Sequence, residues 1–388
     1  MDPRRYVLLL LAMLIGALAA VGGAVFLVDP YAVLHGGAWP GFNAVKPEID
    51  RRAELWKAEL LTTAQPQVVI LGNSRAEVGF DAGHPAFSGR RVVNAALTRA
   101  SFAEIEHLYR QALESGAPRQ FVIAIDLKSL TDTEIRSSMD QAGIGEDIGR
   151  PHRVWNLLKI HLSLDALADA LSTVRRQDPA DPPSLLLGEH GNRSEQYMTH
   201  IIEADGGSGV FSRSYLRDDE PLKTTAIAQA ALDANLTRLR RMAAAACARN
   251  IRLDFVLPPV HAEMLEFWHR KYGAEFGPGL VRQAAAAVAE AAQACPGSHI
   301  SLWSAMAYTP VTTEPIPGPQ AGRAAMSHYW EVVHFRRAVG DAVFDAVFGM
   351  VPVAVPVLSM PVVRLDPASV EPYLAALAEG RATWLARR

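Results

Sequence analysis

QVVILGNSR, residues 67–75, is the stretch from which the fold is read. Four apolar residues, Val68 to Leu71, follow one another without alternation and stop at Gly72. A short apolar, β-branched run that ends at a glycine turn reads as a strand buried on both faces. The pattern returns in RVVNAAL (91–97), QFVIAIDL (120–127), IRLDFVL (251–257) and HISLWSA (299–305). Helical stretches lie between them, over 102–114, about 222–249 and about 279–294. Strands of this kind alternating with helices predict an α/β fold with a mainly parallel sheet covered on both faces.

Working outward, residues 29–65 form a polar connector ending in a short helix, RRAELWKAELLTT. Residues 131–220 are polar, with Gly and Pro, around one amphipathic segment, VWNLLKIHLSLDALADALSTV. They are expected to form an insertion or lid within an α/β domain of 66–349. In MSHYWEVVHFRRAVGDAVFDAVFG (326–349) the second half is a helix with Val339, Val343, Phe344 and Val347 on one face. A tail, 350–388, holds a Pro/Val-rich strip and a final short helix.

The N-terminus carries a different signal. From Tyr6 to Val28 no residue is charged. At about 1.5 Å per residue this run spans a hydrocarbon core of about 30 Å. It is longer than the apolar part of a signal peptide, which favours an uncleaved anchor. Arg4 and Arg5 precede it, so residues 1–5 are expected in the cytoplasm and the chain after Asp29 outside, with the inner membrane as partner. The formal net charge of -3 over 388 residues gives no basic stripe for nucleic acid. Two cysteines, Cys247 and Cys295, exclude a disulfide framework and a cysteine-rich zinc site, although the two could pair in an oxidising compartment. His84, His269 and His328 show no paired ligand spacing, so no metal is expected.

Ser74 stands just past a strand end, where sites form in open α/β sheets. There it is either a helix cap or a nucleophile surrounded by backbone N–H groups. A serine nucleophile needs a base, and the base needs a group to orient it. Glu331 and His334 are three apart, a spacing that puts both on one side of a helical turn. Without Ser74 they would read as an exposed polar pair.

In combination these pieces resemble the SGNH (GDSL-like) hydrolase superfamily. GNSR resembles its first block, usually Gly-Asp-Ser, and Glu331-Val-Val-His334 resembles its last, usually Asp-x-x-His. LGNSRAEVGFD, VLPPVHAEMLE, TTEPIP and YWEVVHF are together similar to bacterial single-pass membrane proteins linked to exopolysaccharide clusters. The resemblance implies a three-layer α/β/α, flavodoxin-like domain behind one transmembrane helix. It also implies a Ser74–His334–Glu331 triad for O-acetyl esterase or acetyltransferase chemistry on an exported polysaccharide, without a cofactor, beside a membrane-bound acyl-donor protein. Asn73 departs from the usual Asp. The second block's Gly has no match, Asn94 being the nearest feature, and AIDLKSL with Asp126 replaces the third block. Asn94, Asp126, His261 and Arg75 are the candidate oxyanion or substrate contacts. The alternatives are a buried structural Asn94, a loop-capping Asp126, a His261 satisfied within its loop and a solvated Arg75. The departures also suit a non-catalytic relative that binds polysaccharide or scaffolds an assembly complex.

The orientation is testable. A reporter that folds only in the periplasm, fused after Arg388, is expected to be active; activity of a cytoplasm-only reporter there would reverse the topology.

Overall fold

In a computed structural model of the chain, residues 3–34, 37–146, 150–180, 187–188, 190–217, 225–318, 321–322, 325–351, 358 and 360–388 are described. Their helices in chain order are α1 (Pro3–Val28), α2 (Ala53–Thr63), α3 (Ser74–Gly79), α4 (Phe102–Glu114), α5 (Ser137–Ala142), α6 (Arg150–His161) and α7 (Leu164–Arg175). There follow α8 (Glu195–Ala204), α9 (Ser208–Tyr215), α10 (Thr225–Ala248), α11 (Ala262–Tyr272), α12 (Phe276–Gln293), α13 (Arg337–Phe348) and α14 (Val370–Leu385). The strands are β1 (Val68–Leu71), β2 (Val92–Asn94), β3 (Gln120–Ala124), β4 (Arg252–Leu257), β5 (Ile300–Ser304) and β6 (Val363–Leu365). Contacts divide the chain into two units: residues 1–59 with 136–186, and residues 60–135 with 187–388. The region 131–220, expected as one insertion, is therefore shared between them.

The second unit holds one six-stranded sheet in the order β2-β1-β3-β4-β5-β6. All neighbours pair in parallel except β6, which runs antiparallel to β5. The five strands expected from the sequence are β1 to β5; β6 is an addition from the tail. One face presents Val68, Ile70, Val122, Ala124 and Val256, packed with Phe80, Phe335, Val339, Val343 and Phe344. On the other face the Tyr109 ring of α4 packs at a tilt against Phe121, with ring centroids 4.4 Å apart, and its hydroxyl donates to Met242 O of α10. Helix α4 is started by Ser101 and Glu104, which bond each other's backbone N–H. A disulfide joins Cys247 of α10 to Cys295, which follows α12, across a Cα–Cα distance of 6.1 Å. The Pro/Val-rich strip of the tail lies mostly outside the described residues. The final helix, α14, seats Tyr373, whose hydroxyl meets Ser304 Oγ at 2.7 Å and donates to Met306 O.

In the first unit α1 is long and apolar enough to cross a membrane. Its last carbonyls have no helical partners. Lys46 Nζ donates to Val28 O and Asp29 O at 2.8 Å each, and Asn43 Nδ2 donates to Leu27 O at 2.9 Å. The connector after the apolar run is thus folded onto the end of α1. Helix α7 buries Ala166, Asp169, Ala170 and Thr173, a small-residue stripe of helical period, and packs on α1. Tyr31 and Arg51 both bond Asp169, at 2.6 and 3.1 Å.

Helices α3 and α13 meet where neither has a side chain. A Cβ on Gly340 would lie 1.8 Å from Gly79 O, and one on Gly79 would lie 2.1 Å from the Phe335 ring. Gly340→Ala is therefore expected to destabilise the protein by about 2 kcal/mol or more. Gly277→Ala, with nothing within 4 Å, is expected to be neutral or slightly stabilising. Urea unfolding of the two variants checks the contrast.

Candidate active site

β1 to β4 run parallel, so their C-terminal ends share one edge. Ser74, Asn94, Asp126 and His261 each stand at or beyond such an end. The turn that carries Ser74 is cramped. A Cβ on Gly72, whose φ is +152°, would come within 2.8 Å of Ala76 Cβ and 2.9 Å of Ala124 Cβ. Only glycine passes there, and the chain enters α3 directly above β1. Asn73, not Ser74, is the cap: its Oδ1 accepts Arg75 N–H at 3.0 Å. Ser74 is the first helical residue, half-buried, with its hydroxyl free for another task.

That hydroxyl meets His334. Nε2 of His334 lies 2.8 Å from Ser74 Oγ, across 260 positions of sequence. Nδ1 of the same ring contacts Glu331 Oε1. With Glu331 as acceptor, Nδ1 carries the hydrogen, which leaves the Nε2 lone pair for the serine O–H. Glu331 is wholly buried, and His334 is 8% exposed.

The expected helical turn is not what joins them. Residues 329–335 form a tight loop closed by an antiparallel bridge between Tyr329 and Phe335 and by Trp330 N–H on His334 O. Glu331 shapes it from within: Oε2 accepts Val333 N–H at 2.7 Å and Oε1 accepts His334 N–H at 3.1 Å. A buried carboxylate is stable only when its lone pairs are met, and here the loop's own amides meet them. Glu314, in TTEPIP, holds the loop's entrance by accepting Ser327, His328 and Tyr329 N–H groups.

The other expected site residues are arranged differently. Asn94 is buried, with Nδ2 donating to Ala76 O and Phe80 O at 2.9 Å each, and Oδ1 accepting Ala96 N–H. It has no donor left for an oxyanion; it anchors α3. His261 is buried. It caps α11, with Nδ1 accepting Glu263 N–H and Nε2 donating to Glu314 O at 3.0 Å. Burial pushes its pKa from 6.5 down to about 4. Asp126 caps the following turn through Lys128 N–H and accepts Asn73 Nδ2 at 3.2 Å. Arg75 is buried rather than solvated, 3.1 Å from Asp126 through Nε and stacked over Trp268. That Nε is not aligned for a hydrogen bond, so the pair is held by charge, which at this distance does not depend on angle.

Sequence reading missed the residues behind the serine. Glu77, buried in α3, pairs with Arg193 at 3.2 Å, and Thr98 donates to the same carboxylate. Val78, Met198, Ile202 and Trp330 form an apolar cluster that ties α3 to α8 and to the Glu331 loop. Ser212 Oγ accepts Val332 N–H, and Tyr215 lies edge-on to His334. Arg193, Ser212 and Tyr215 belong to a polar stretch with no strand or motif to mark them. Among the described residues no cluster of three or more His, Cys, Asp or Glu is placed to hold a metal ion. A cavity of about 430 Å³ lined by Leu60, His84, Arg90, Arg91 and Val92 includes none of the site residues. No protein-family model matches the chain, and no curated protein matches it.

The lowered pKa of His261 gives a pH dependence. Its folded form stays neutral down to about pH 4, whereas the unfolded chain takes up a proton near 6.5. Stability is therefore lost as pH falls from 6.5 towards 4, with His261 contributing about 3 kcal/mol of that loss. His261→Asn keeps a capping oxygen but not the titration. It is expected to flatten the fall in unfolding free energy between pH 7 and 4.5, at a cost of about 1 kcal/mol at pH 7 for the bond to Glu314.

Proposed function

We propose that the protein is a serine-dependent acyl-ester enzyme, an O-acetyl esterase or O-acetyltransferase acting on an exported polysaccharide outside the inner membrane. The observation that carries this reading is the 2.8 Å approach of His334 Nε2 to Ser74 Oγ, with Glu331 on the other ring nitrogen. Ser74 Oγ attacks the ester carbonyl carbon as His334 Nε2 takes the hydroxyl proton. Glu331 holds the ring and offsets the imidazolium charge. The Ser74 N–H, which has no acceptor among the described residues, stabilises the oxyanion. Collapse expels the sugar oxygen with the proton from His334 and leaves an acyl-serine. Water then releases the acid, or a second sugar hydroxyl takes the acyl group, His334 serving again as base.

The resemblance to SGNH hydrolases supports the same reading. The strand order β2-β1-β3-β4-β5 is that of flavodoxin-like sheets, with ligands bound at the C-terminal edge. The finer fold is then a three-layer α/β/α domain over about 66–349. Arg4 and Arg5 ahead of the uncharged run of α1 and the Cys247–Cys295 disulfide favour an oxidising, periplasmic compartment. The partner in transfer chemistry is a membrane protein that donates acyl groups. The internal engagement of Asn94, Asp126 and His261 favours the second reading, a polysaccharide-binding or scaffolding protein in which Ser74 does not react.

Hydrolysis of an aryl acetate by the full chain in detergent separates the two. Ser74→Ala and His334→Ala are each expected to lower kcat/KM by on the order of 10³-fold or more, and the double variant by little beyond that. Glu331→Gln is expected to keep the fold and lose less. Unchanged turnover in Ser74→Ala would leave the binding reading.

A further inference from the structure

The geometry points to a second membrane contact in the first unit: the α6–α7 hairpin inserts its tip into the outer leaflet beside α1. The inference rests on the reading of α1 as a membrane span. The hairpin turn packs against the span itself. A Cβ on Gly22 would lie 2.8 Å from Leu162. Gly22 is six residues before Val28, so Leu162 sits about 9 Å inside the end of the apolar helix. Tyr6 to Val28 measures about 35 Å, only slightly more than a hydrocarbon core of about 30 Å. Leu162 is thus at hydrocarbon or headgroup-boundary depth.

What surrounds that turn is apolar and uncovered. Leu164 is 83% exposed, Trp155 is 58% exposed, and Val154, Leu158 and Leu162 are exposed as well. In water such a patch is costly, whereas against acyl chains each side chain adds favourable transfer energy. The direction of α7 agrees. Its start lies near Gly22, while Asp169, further along, is bonded to Tyr31 and Arg51 beyond the end of the span. The hairpin therefore descends to the membrane at its tip and leaves it along α7. Trp155, about two turns back along α6, falls at the level where indole rings concentrate at membrane interfaces.

Lipid also demands that backbone polar groups be satisfied internally. Leu162 N–H donates to Leu158 O, Ser163 Oγ donates to Ile160 O, and the same Oγ accepts Ala166 N–H. The nearest charges, Lys159 and Asp165, limit the tip to the headgroup boundary. Lys159 extends over the Trp155 ring. An apolar tip flanked by a tryptophan and a lysine has the chemistry of a monotopic membrane contact, with a phospholipid bilayer as partner.

Spin labels on the full chain in phospholipid vesicles test this. Single cysteines replace Leu164, Leu14 in the span and the exposed Glu379 of α14, and each label's collision with oxygen is compared with that of a water-soluble nickel complex. Labels at Leu14 and Leu164 are expected to favour oxygen, and the label at Glu379 to favour nickel. A lipid-like Leu14 with a Leu164 as open to nickel as Glu379 overturns the hairpin insertion alone. A nickel-accessible Leu14 overturns the span and the hairpin together.

Discussion

A carboxylate shut away from water is the constraint on which the site depends. Glu331 has no exposed surface, so its oxygens must be met by the protein. They are met by Val333 N–H, His334 N–H and His334 Nδ1, all within three residues. Satisfying that charge forces the loop to curl on itself, and the curl presents His334 Nε2 outward. Removing the acid would leave the loop amides unpaired as well as the imidazole unoriented. The same group thus sets the backbone and the tautomer.

On the facing side, α3 has only six residues and cannot hold its own position. It is fixed from below by Gly72 against Ala124, from one flank by Asn94 on Ala76 O and Phe80 O, and from behind by the Glu77–Arg193 pair. The Gly79–Gly340 contact then brings α13, and with it the His334 loop, against α3. Serine and histidine are held at hydrogen-bond distance by packing and buried hydrogen bonds on both sides, the kind of support that pre-positions a reacting pair.

Much of this was legible in the sequence, for identifiable reasons. Val68–Leu71 and Gln120–Ala124 are buried on both faces, so their apolar runs declare them strands. Val363–Leu365 is half-exposed, at a sheet edge and only three residues long, and gives no such pattern. The spacing of Glu331 and His334 was readable, but not its cause: a bridge-closed loop brings them together as well as a helical turn does. Asn94 and His261 stand at strand ends as site residues do, yet their hydrogen bonds are consumed by Ala76 O, Phe80 O and Glu314 O. No local pattern reveals such partners. Arg193 is 116 positions from Glu77, and only the folded chain puts a buried cation behind the serine.

The most direct measurement is covalent capture of the serine. A fluorophosphonate reacts with a serine hydroxyl only when a base activates it. Peptide mass mapping of the treated full-length protein is predicted to find one adduct, on Ser74, lost in Ser74→Ala and strongly reduced in His334→Ala. Absence of an adduct on Ser74 in the folded protein, or equal labelling of the His334→Ala variant, would contradict an activated nucleophile.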